Sequence, residues 1–352
     1  MIWIGLDEAG YGPMLGPLAV GATAWRVPNG KPPDCLYERL AGIVTVNPRP
    51  LVKTSVGDRE SFRRVAAPVA SVALGDIAPL WIADSKLVYQ TGELTALERG
   101  VLRLARIAKV CPFVNAGELL QAVVKRAARG LPVWAWDAAL AVPCDFHNQA
   151  EAQSAAGKDC EHARQTFQDR ECELLAIRAA LLWPGEFNRA LAARENNKSL
   201  VLFHTGFELL QSLIADFPDE PIWIDADKLG GRDRYGALLQ HALDGEWVEV
   251  LHESGEESLY RWGTASERPH GAPRWIRYRV GGERAMPTAA ASMTAKYLRE
   301  LSMLAWNRFW QEELHGLRPT AGYYVDALRF LKEITQRQTE LRIPAAEIVR
   351  KK

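Results

Sequence analysis

The sequence has no excess of either charge, no paired cysteines and no uninterrupted apolar run, and each absence excludes something. Its 43 Lys and Arg balance 43 Asp and Glu. No global field therefore advertises nucleic acid, membrane or an acidic partner, and any basic surface must be local. The five cysteines, at 35, 111, 144, 160 and 172, are odd in number and never form a C-x-x-C pair, which argues for reduced thiols and against a disulfide framework. Cys144, His147, Cys160, His162 and Cys172 supply enough nitrogen and sulfur for zinc, but their spacing matches no standard finger, and the stretch reads as an insertion loop. The N-terminus has no basic leader, and Asp7 interrupts its apolar run too early for a signal peptide. The longest uncharged stretch, Ala9 to Trp25, is broken by Gly and Pro and does not suit a membrane span. A cytoplasmic globular protein is expected, without membrane contact and with no protein partner deducible.

What the sequence does contain is a charged tip on an apolar opening. Ile2-Trp3-Ile4-Gly5-Leu6 suits a buried strand, and it ends in Asp7-Glu8 followed by a turn rich in Gly and Pro. Strand side chains alternate faces, so the two acids share a site only if the strand stops beside them, which the Ala9-Gly10 break allows. Gly10 and Gly12 would present bare amides to an anionic or sugar-bearing ligand. An ordinary polar turn explains the same residues.

In chain order, Leu18 to Trp25 suits a second strand. Residues 27–50 read as an irregular excursion and 51–79 as a mixed segment. Leu80 to Ala83 suits a short strand ending in Asp84-Ser85-Lys86, where Ser85 and Lys86 could meet a phosphate or Asp84-Ser85 could simply cap the next helix. Helices are expected over 93–108, 116–129, 170–182 and 203–216, with a strand at 110–114 and a surface insertion at about 134–168. Pro221 to Asp225 is a second apolar run that stops on an acid, with Asp227, Lys228 and Arg232 just beyond. A hairpin over 247–262 and a strand over 275–280 follow. The last strong signal is a helix over 289–300. Ser292, Lys296 and Glu300 recur there at i, i+4 and i+8 as one polar stripe, which a solvated face also explains.

Taken together, the ordered motifs resemble a family. DEAGYGPMLGP from Asp7, ADSKL from Ala83, IWIDAD from Ile222 and GGERAMPTAAASMTAKYLRELSM from Gly281 are similar to the type 2 ribonucleases H, HII and HIII. Members of that family carry DEAGRGPLAGP, DSKxL, a strand-end Asp and AASIxAKxxRD in this order. The resemblance implies a ribonuclease-H-like mixed β-sheet flanked by helices, with large insertions (about 26–79, 130–185 and 229–275) in a catalytic domain over 1–312, and a C-terminal helical extension over 313–352. It implies that Asp7, Glu8, Asp225 and Glu300 hold two divalent cations, Mg²⁺ or Mn²⁺, for hydrolysis of the RNA strand of an RNA·DNA hybrid. Gly10, Tyr11, Gly12, Ser85, Lys86, Ser292, Lys296 and Tyr323 would then contact the substrate.

Two departures stand out. Tyr11 replaces the arginine of Gly-Arg-Gly, which predicts weaker reading of a single ribonucleotide junction. Glu300 replaces the family's aspartate. Two other readings remain open, a non-catalytic nucleic-acid-binding relative and a phosphotransferase of the sugar-kinase and actin type, although the phosphate and adenosine loops of the latter are not found.

Overall fold

The computed structural model describes residues 1–30, 33, 35–46, 79–110, 115–124, 150–263 and 272–351. Its strands are β1 (Ile2–Ala9), β2 (Leu18–Arg26), β3 (Val44–Thr45), β4 (Leu80–Trp81), β5 (Glu173–Leu182), β6 (Ile222–Asp227), β7 (Glu249–Glu253), β8 (Glu257–Trp262) and β9 (Arg274–Arg279). Its helices are α1 (Leu36–Arg39), α2 (Ser85–Ile107), α3 (Ala116–Val123), α4 (Ala150–Asp169), α5 (Pro184–Ala192), α6 (Lys198–Ile214), α7 (Gly236–Ala242), α8 (Met286–Glu313) and α9 (Tyr324–Glu340).

Seven strands form one mixed sheet in the order β5-β2-β1-β6-β9-β8-β7, while β3 and β4 pair separately. The central strand β1 runs antiparallel to β2 and parallel to β6, and β6 runs parallel to β9. Period-two alternation sorts the side chains of β1 and β6. Ile2, Ile4, Leu6, Ile222 and Ile224 enter a core that includes Phe203, Phe207 and Leu210 of α6. Trp3, Trp223 and Trp275 enter a second core with Trp25 and with Met286, Ala289 and Met293 of α8. Helices thus cover both faces of a mixed sheet, which is the α/β architecture expected from the sequence. Each large apolar side chain withdrawn from water in these layers contributes about 1.5–3 kcal/mol.

Glycine sets the distance between α8 and the sheet. A Cβ at Gly5 would overlap the Pro287 backbone, and one at Gly21 would overlap the Ala291 carbonyl oxygen. Gly21 lies opposite Asp7 in the β1–β2 ladder, so this close approach brings the first turns of α8 directly onto the charged end of β1.

Two sequence expectations give way here. The stretch 170–182, rich in Leu and Ala and suited to a helix by propensity, forms the strand β5. Pairing along the whole of β2 and burial of both faces override local preference. The 134–168 stretch is not a surface excursion in the part that is described. Cys160, Ala163 and Phe167 of α4 are buried, and the Phe167 ring packs against Trp25 at 5.8 Å. Residues 47–78, 111–114 and 125–149, including the strand expected at 110–114 and the Cys144–His147 end of the cysteine and histidine cluster, lie largely or wholly outside the described residues. Cys160 and Cys172 are buried. The C-terminal segment is helical, with Ala327, Phe330 and Ile334 of α9 buried and Phe330 edge-on to Trp310 of α8 at 6.5 Å. Among the described residues no helix is long and apolar enough to cross a membrane.

Candidate active site at the tip of the central strand

The end of β1 carries Asp7, which is buried, and Glu8, which is half-buried. The Glu8 backbone N–H donates to Asp7 Oδ1 at 2.7 Å, tying the two together at the turn. Asp7 faces α8, where the Ser292 hydroxyl lies within hydrogen-bond reach of its carboxylate and 3.0 Å from Ser85 Oγ at the start of α2. Burial pushes the Asp7 carboxyl well above its usual range, and the charges of Glu8, Glu283 and Asp227 push the same way against the Ser292 bond. Glu8 is pushed up to about 7, first by burial and then by Asp227. Glu283, in the turn before α8, is raised by its own burial and by Asp227 and Asp84, with Lys86 opposing. One oxygen of this cluster, Glu8 Oε2, is buried without any hydrogen-bond partner.

Asp225 does not join this group. Its Oδ1 accepts from Arg277 Nε at 2.6 Å, and its Oδ2 accepts from the indole N–H groups of Trp3 (2.8 Å) and Trp223 (3.0 Å). Register explains why. Gly5 lies beside Asp225 and Leu6 beside Ala226 in the parallel β1–β6 ladder, so Asp225 sits two residues below the tip and Asp227 falls level with Asp7. Alternation keeps 225 and 227 on one face, but only the second reaches the charged end. Asp227 Oδ1 also accepts from the Gly282 N–H at 3.0 Å, which fixes the turn that carries Glu283. In the sequence Asp227 stands just past the strand-end acid, and the one signal for Glu283 is its place in the Gly281-Gly282-Glu283-Arg284 turn beside the helix.

Glu300 is also engaged, accepting from Lys296 Nζ at 2.7 Å and from Arg299 Nη1 at 3.1 Å through the same oxygen. Lys296 additionally lies 4.7 Å from the Tyr89 ring. The polar stripe Ser292-Lys296-Glu300 therefore divides. Ser292 meets Asp7, while Lys296 and Glu300 form a pair two turns of α8 later.

The substrate-contact expectations gather around this end. Asp84 caps α2 by accepting from the Lys86 N–H at 2.7 Å, so capping explains Asp84 while leaving Ser85 beside Ser292 and Lys86 within electrostatic reach of Glu283. The glycine loop turns at Gly10, whose φ of 82° suits glycine and whose missing Cβ makes room for Arg299. Tyr11 is half-buried between Glu8, Arg232 and Gly230, and Gly12 is exposed. Tyr323 is 55% exposed, with its ring 6.0 Å from the Arg299 guanidinium. The turn before it is bound to the same loop, since the N–H groups of Met14 (2.8 Å) and Leu15 (3.2 Å) donate to the Gly322 carbonyl.

Among the described residues no three His, Cys, Asp or Glu side chains are drawn together closely enough to constitute a metal site as they stand. The donor set nevertheless fits a hard divalent cation. Asp7, Glu8 and Asp227 are hard oxygen ligands, burial and the charge of Asp227 raise the proton affinity of Asp7 and Glu8, and Glu8 Oε2 has no hydrogen-bond partner.

No family model matches the chain, and no curated protein matches it. Among solved structures it is similar to the RNase HII of a PCNA:RNase HII complex from Archaeoglobus fulgidus, at 13% identity over 99% of this chain and 94% of that one, with a TM-score of 0.36. It is likewise similar to the ribonuclease H2 from Pyrococcus horikoshii, at 13% identity over 99% and 92% of the two chains with a TM-score of 0.35. A third is Aquifex aeolicus RNase H3, at 11% identity over 99% and 70%, with a TM-score of 0.31.

Proposed function

We propose that this protein is a divalent-cation-dependent endoribonuclease that hydrolyses the RNA strand of RNA·DNA hybrids, leaving 5′-phosphate and 3′-hydroxyl ends. The observation that carries the reading is the Asp7–Glu8 pair at the tip of β1, within electrostatic reach of Asp227 and Glu283 and holding one buried, unpartnered carboxylate oxygen. Asp7, Glu8 and Asp227 would hold the cation or cations, with Glu283 at the margin and Glu300 on the outer turn of α8. A bound Mg²⁺ or Mn²⁺ supplies charge stabilisation at the phosphorus and lowers the pKa of attacking water.

The remaining work falls to the chain. Ser292 lies beside Asp7 and donates its hydroxyl to Ser85 Oγ at 3.0 Å, which ties the start of α2 to the first turns of α8 at the acid. The start of α2, with Lys86, contributes positive potential where a phosphate would lie. The exposed backbone at Gly12 and the adjacent half-buried Gly10 allow close approach to a ribose 2′-hydroxyl. Asp225 acts from below, holding Arg277 and the two indoles so that β6 delivers Asp227 at the right level.

The test is incubation of purified protein with Mg²⁺ or Mn²⁺ and three duplexes: an all-hybrid, a DNA duplex with one embedded ribonucleotide, and all-DNA. Cleavage confined to the ribonucleotide-containing strands, abolished in Asp7→Asn, is expected. A second reading, binding without cleavage, is favoured by the engagement of Asp225 and Glu300 in ion pairs. Retention of hybrid binding with no cleavage in either metal would select it.

A further inference from the structure

Asp227 ends β6, and the loop that follows has little rigidity of its own. Gly230 and Gly231 both adopt positive φ, 59° and 77°, and two adjacent glycines leave a backbone unusually free. The loop is nevertheless tied down along its length. The Leu229 N–H donates to the Tyr235 hydroxyl (2.9 Å), which donates in turn to the Arg232 carbonyl (2.8 Å). Strand β8 then holds both ends of that bracket. The Tyr235 N–H donates to the Tyr260 hydroxyl (2.8 Å), and the Ser258 hydroxyl donates to the Asp233 carbonyl (2.5 Å). Tyr235 is itself buried and stacked on Tyr278 of β9 at 3.7 Å.

Lys228 is the centre of this brace. Its side chain is 7% exposed, and its Nζ lies 2.7 Å from each of Asp233 Oδ1, the Ser254 carbonyl and the Gly255 carbonyl. An ammonium has three N–H donors, and these three acceptors use all of them. A lysine next to an acidic cluster suggests a phosphate contact, but this one has no donor left to offer. Alternation sends it away from the Asp227 side of the sheet, and it reaches instead to the turn of the β7–β8 hairpin. That turn is itself fixed, since the Ser254 N–H donates to the Glu257 carbonyl and the Val280 N–H to the Glu256 carbonyl, both at 2.9 Å. From the other direction Asp227 meets the turn before α8. The Gly282 N–H donates to its Oδ1 at 3.0 Å, and a Cβ at Gly282 would stand 2.8 Å from the Asp227 nitrogen. We propose that Lys228 is a positioning residue for Asp227, and that the β7–β8 hairpin, within the insertion expected at about 229–275, is the brace through which it holds that acid level with Asp7. This rests on the function proposed above and gives the insertion a part in it.

The test is a double-mutant cycle on the full chain, read by Mn²⁺ titration in electron paramagnetic resonance and by steady-state cleavage of the hybrid. Lys228→Met is expected to weaken Mn²⁺ binding about tenfold in the wild-type background and to have no further effect in Asp227→Asn. Its effect on urea unfolding should be the same in both backgrounds. Lys228→Arg, which keeps the charge and the donors, should recover part of the Mn²⁺ affinity. In Lys228→Met kcat should fall while KM for the hybrid stays within about twofold, because the lysine does not touch the substrate. An equal loss of Mn²⁺ affinity with and without Asp227 would show that the lysine acts on the fold as a whole, and would overturn the proposal. Unchanged Mn²⁺ affinity, with weaker hybrid binding in EDTA and a salt slope lower by about one, would overturn it too, as the mark of a phosphate contact. If Lys228→Met does not fold, Lys228→Gln takes its place in the cycle, and zero coupling to Asp227 there has the same consequence. A wild type that binds Mn²⁺ with the expected coupling yet cleaves no duplex leaves the positioning role standing and removes the nuclease reading. A wild type that binds no Mn²⁺ removes both.

Discussion

At Asp7 and Glu8 burial and like charge act in the same direction, and this makes a residue-scale prediction about pH. Glu8 is pushed up to about 7 and Asp7 rises with it, so the native state binds protons more tightly than the unfolded chain over the interval from the ordinary carboxylate range to about 7. For an acid raised on folding, stability is greatest at low pH and is lost as pH rises through that interval. Urea unfolding in EDTA should therefore show a decline between about pH 4.5 and 7, flattened in Asp7→Asn and reversed at pH 8 by Mg²⁺. A stability that rises over this range would contradict the cluster. Asp225 and Asp227, two residues apart on one face of β6, should behave oppositely. Asp225→Asn leaves Arg277 without its buried counter-charge and should cost about 3 kcal/mol of stability in chemical denaturation. Asp227→Asn should leave stability unchanged or improved while lowering kcat/KM on the hybrid by a factor on the order of a hundred, about 2.7 kcal/mol at the transition state.

At the scale of elements, the site depends on how closely α8 lies on β1 and β2. Gly5 and Gly21 leave no space for a methyl group between strand and helix backbones. Gly5→Ala should then separate α8 from the sheet, withdrawing Ser292 from Asp7, at a cost of about 3 kcal/mol in urea unfolding and with a parallel loss of cleavage. Full stability in this variant would show that α8 has slack that the packing does not suggest. The kink in α2 at Glu93, where φ is 55°, lies about two turns beyond the Ser85 end, so the N-terminal turns at the site and the long body of the helix are set by different packing.

The whole molecule adds a constraint from its far end. The last residues run back to the first loop. Val349 bridges Leu15, the Arg350 N–H bonds the Met14 carbonyl, and the Lys351 N–H donates to Asn188 Oδ1 at 2.7 Å. Asn188 in α5 also donates to the carbonyls of Ala346 and Val349, both at 2.8 Å, so α5 anchors the tail against the loop. Removal of residues 345–352 should loosen the glycine loop without unfolding the sheet. Hydrogen exchange at the Met14 and Leu15 amides should accelerate well before exchange in β1, and uniform acceleration of both would show that the tail supports the fold as a whole.

The sequence by itself determined the end of β1 as the charged point of the molecule and the helix that carries Ser292, Lys296 and Glu300, and it offered the cap of α2 as one of two readings, because each rests on periodicity and on neighbours within a few residues. Tertiary structure alone decided which acids meet. The choice between Asp225 and Asp227 is a matter of register between β1 and β6, strands separated by more than two hundred residues, and no local pattern encodes it. The same holds for β5, whose Leu- and Ala-rich sequence favours a helix until β2 offers it a ladder. It holds also for Glu283, brought to Asp7 by a turn, and for Arg350, carried to the glycine loop by the tail. Propensity is a sum over adjacent residues, whereas burial and charge depend on what the chain brings alongside, and only the folded chain fixes that.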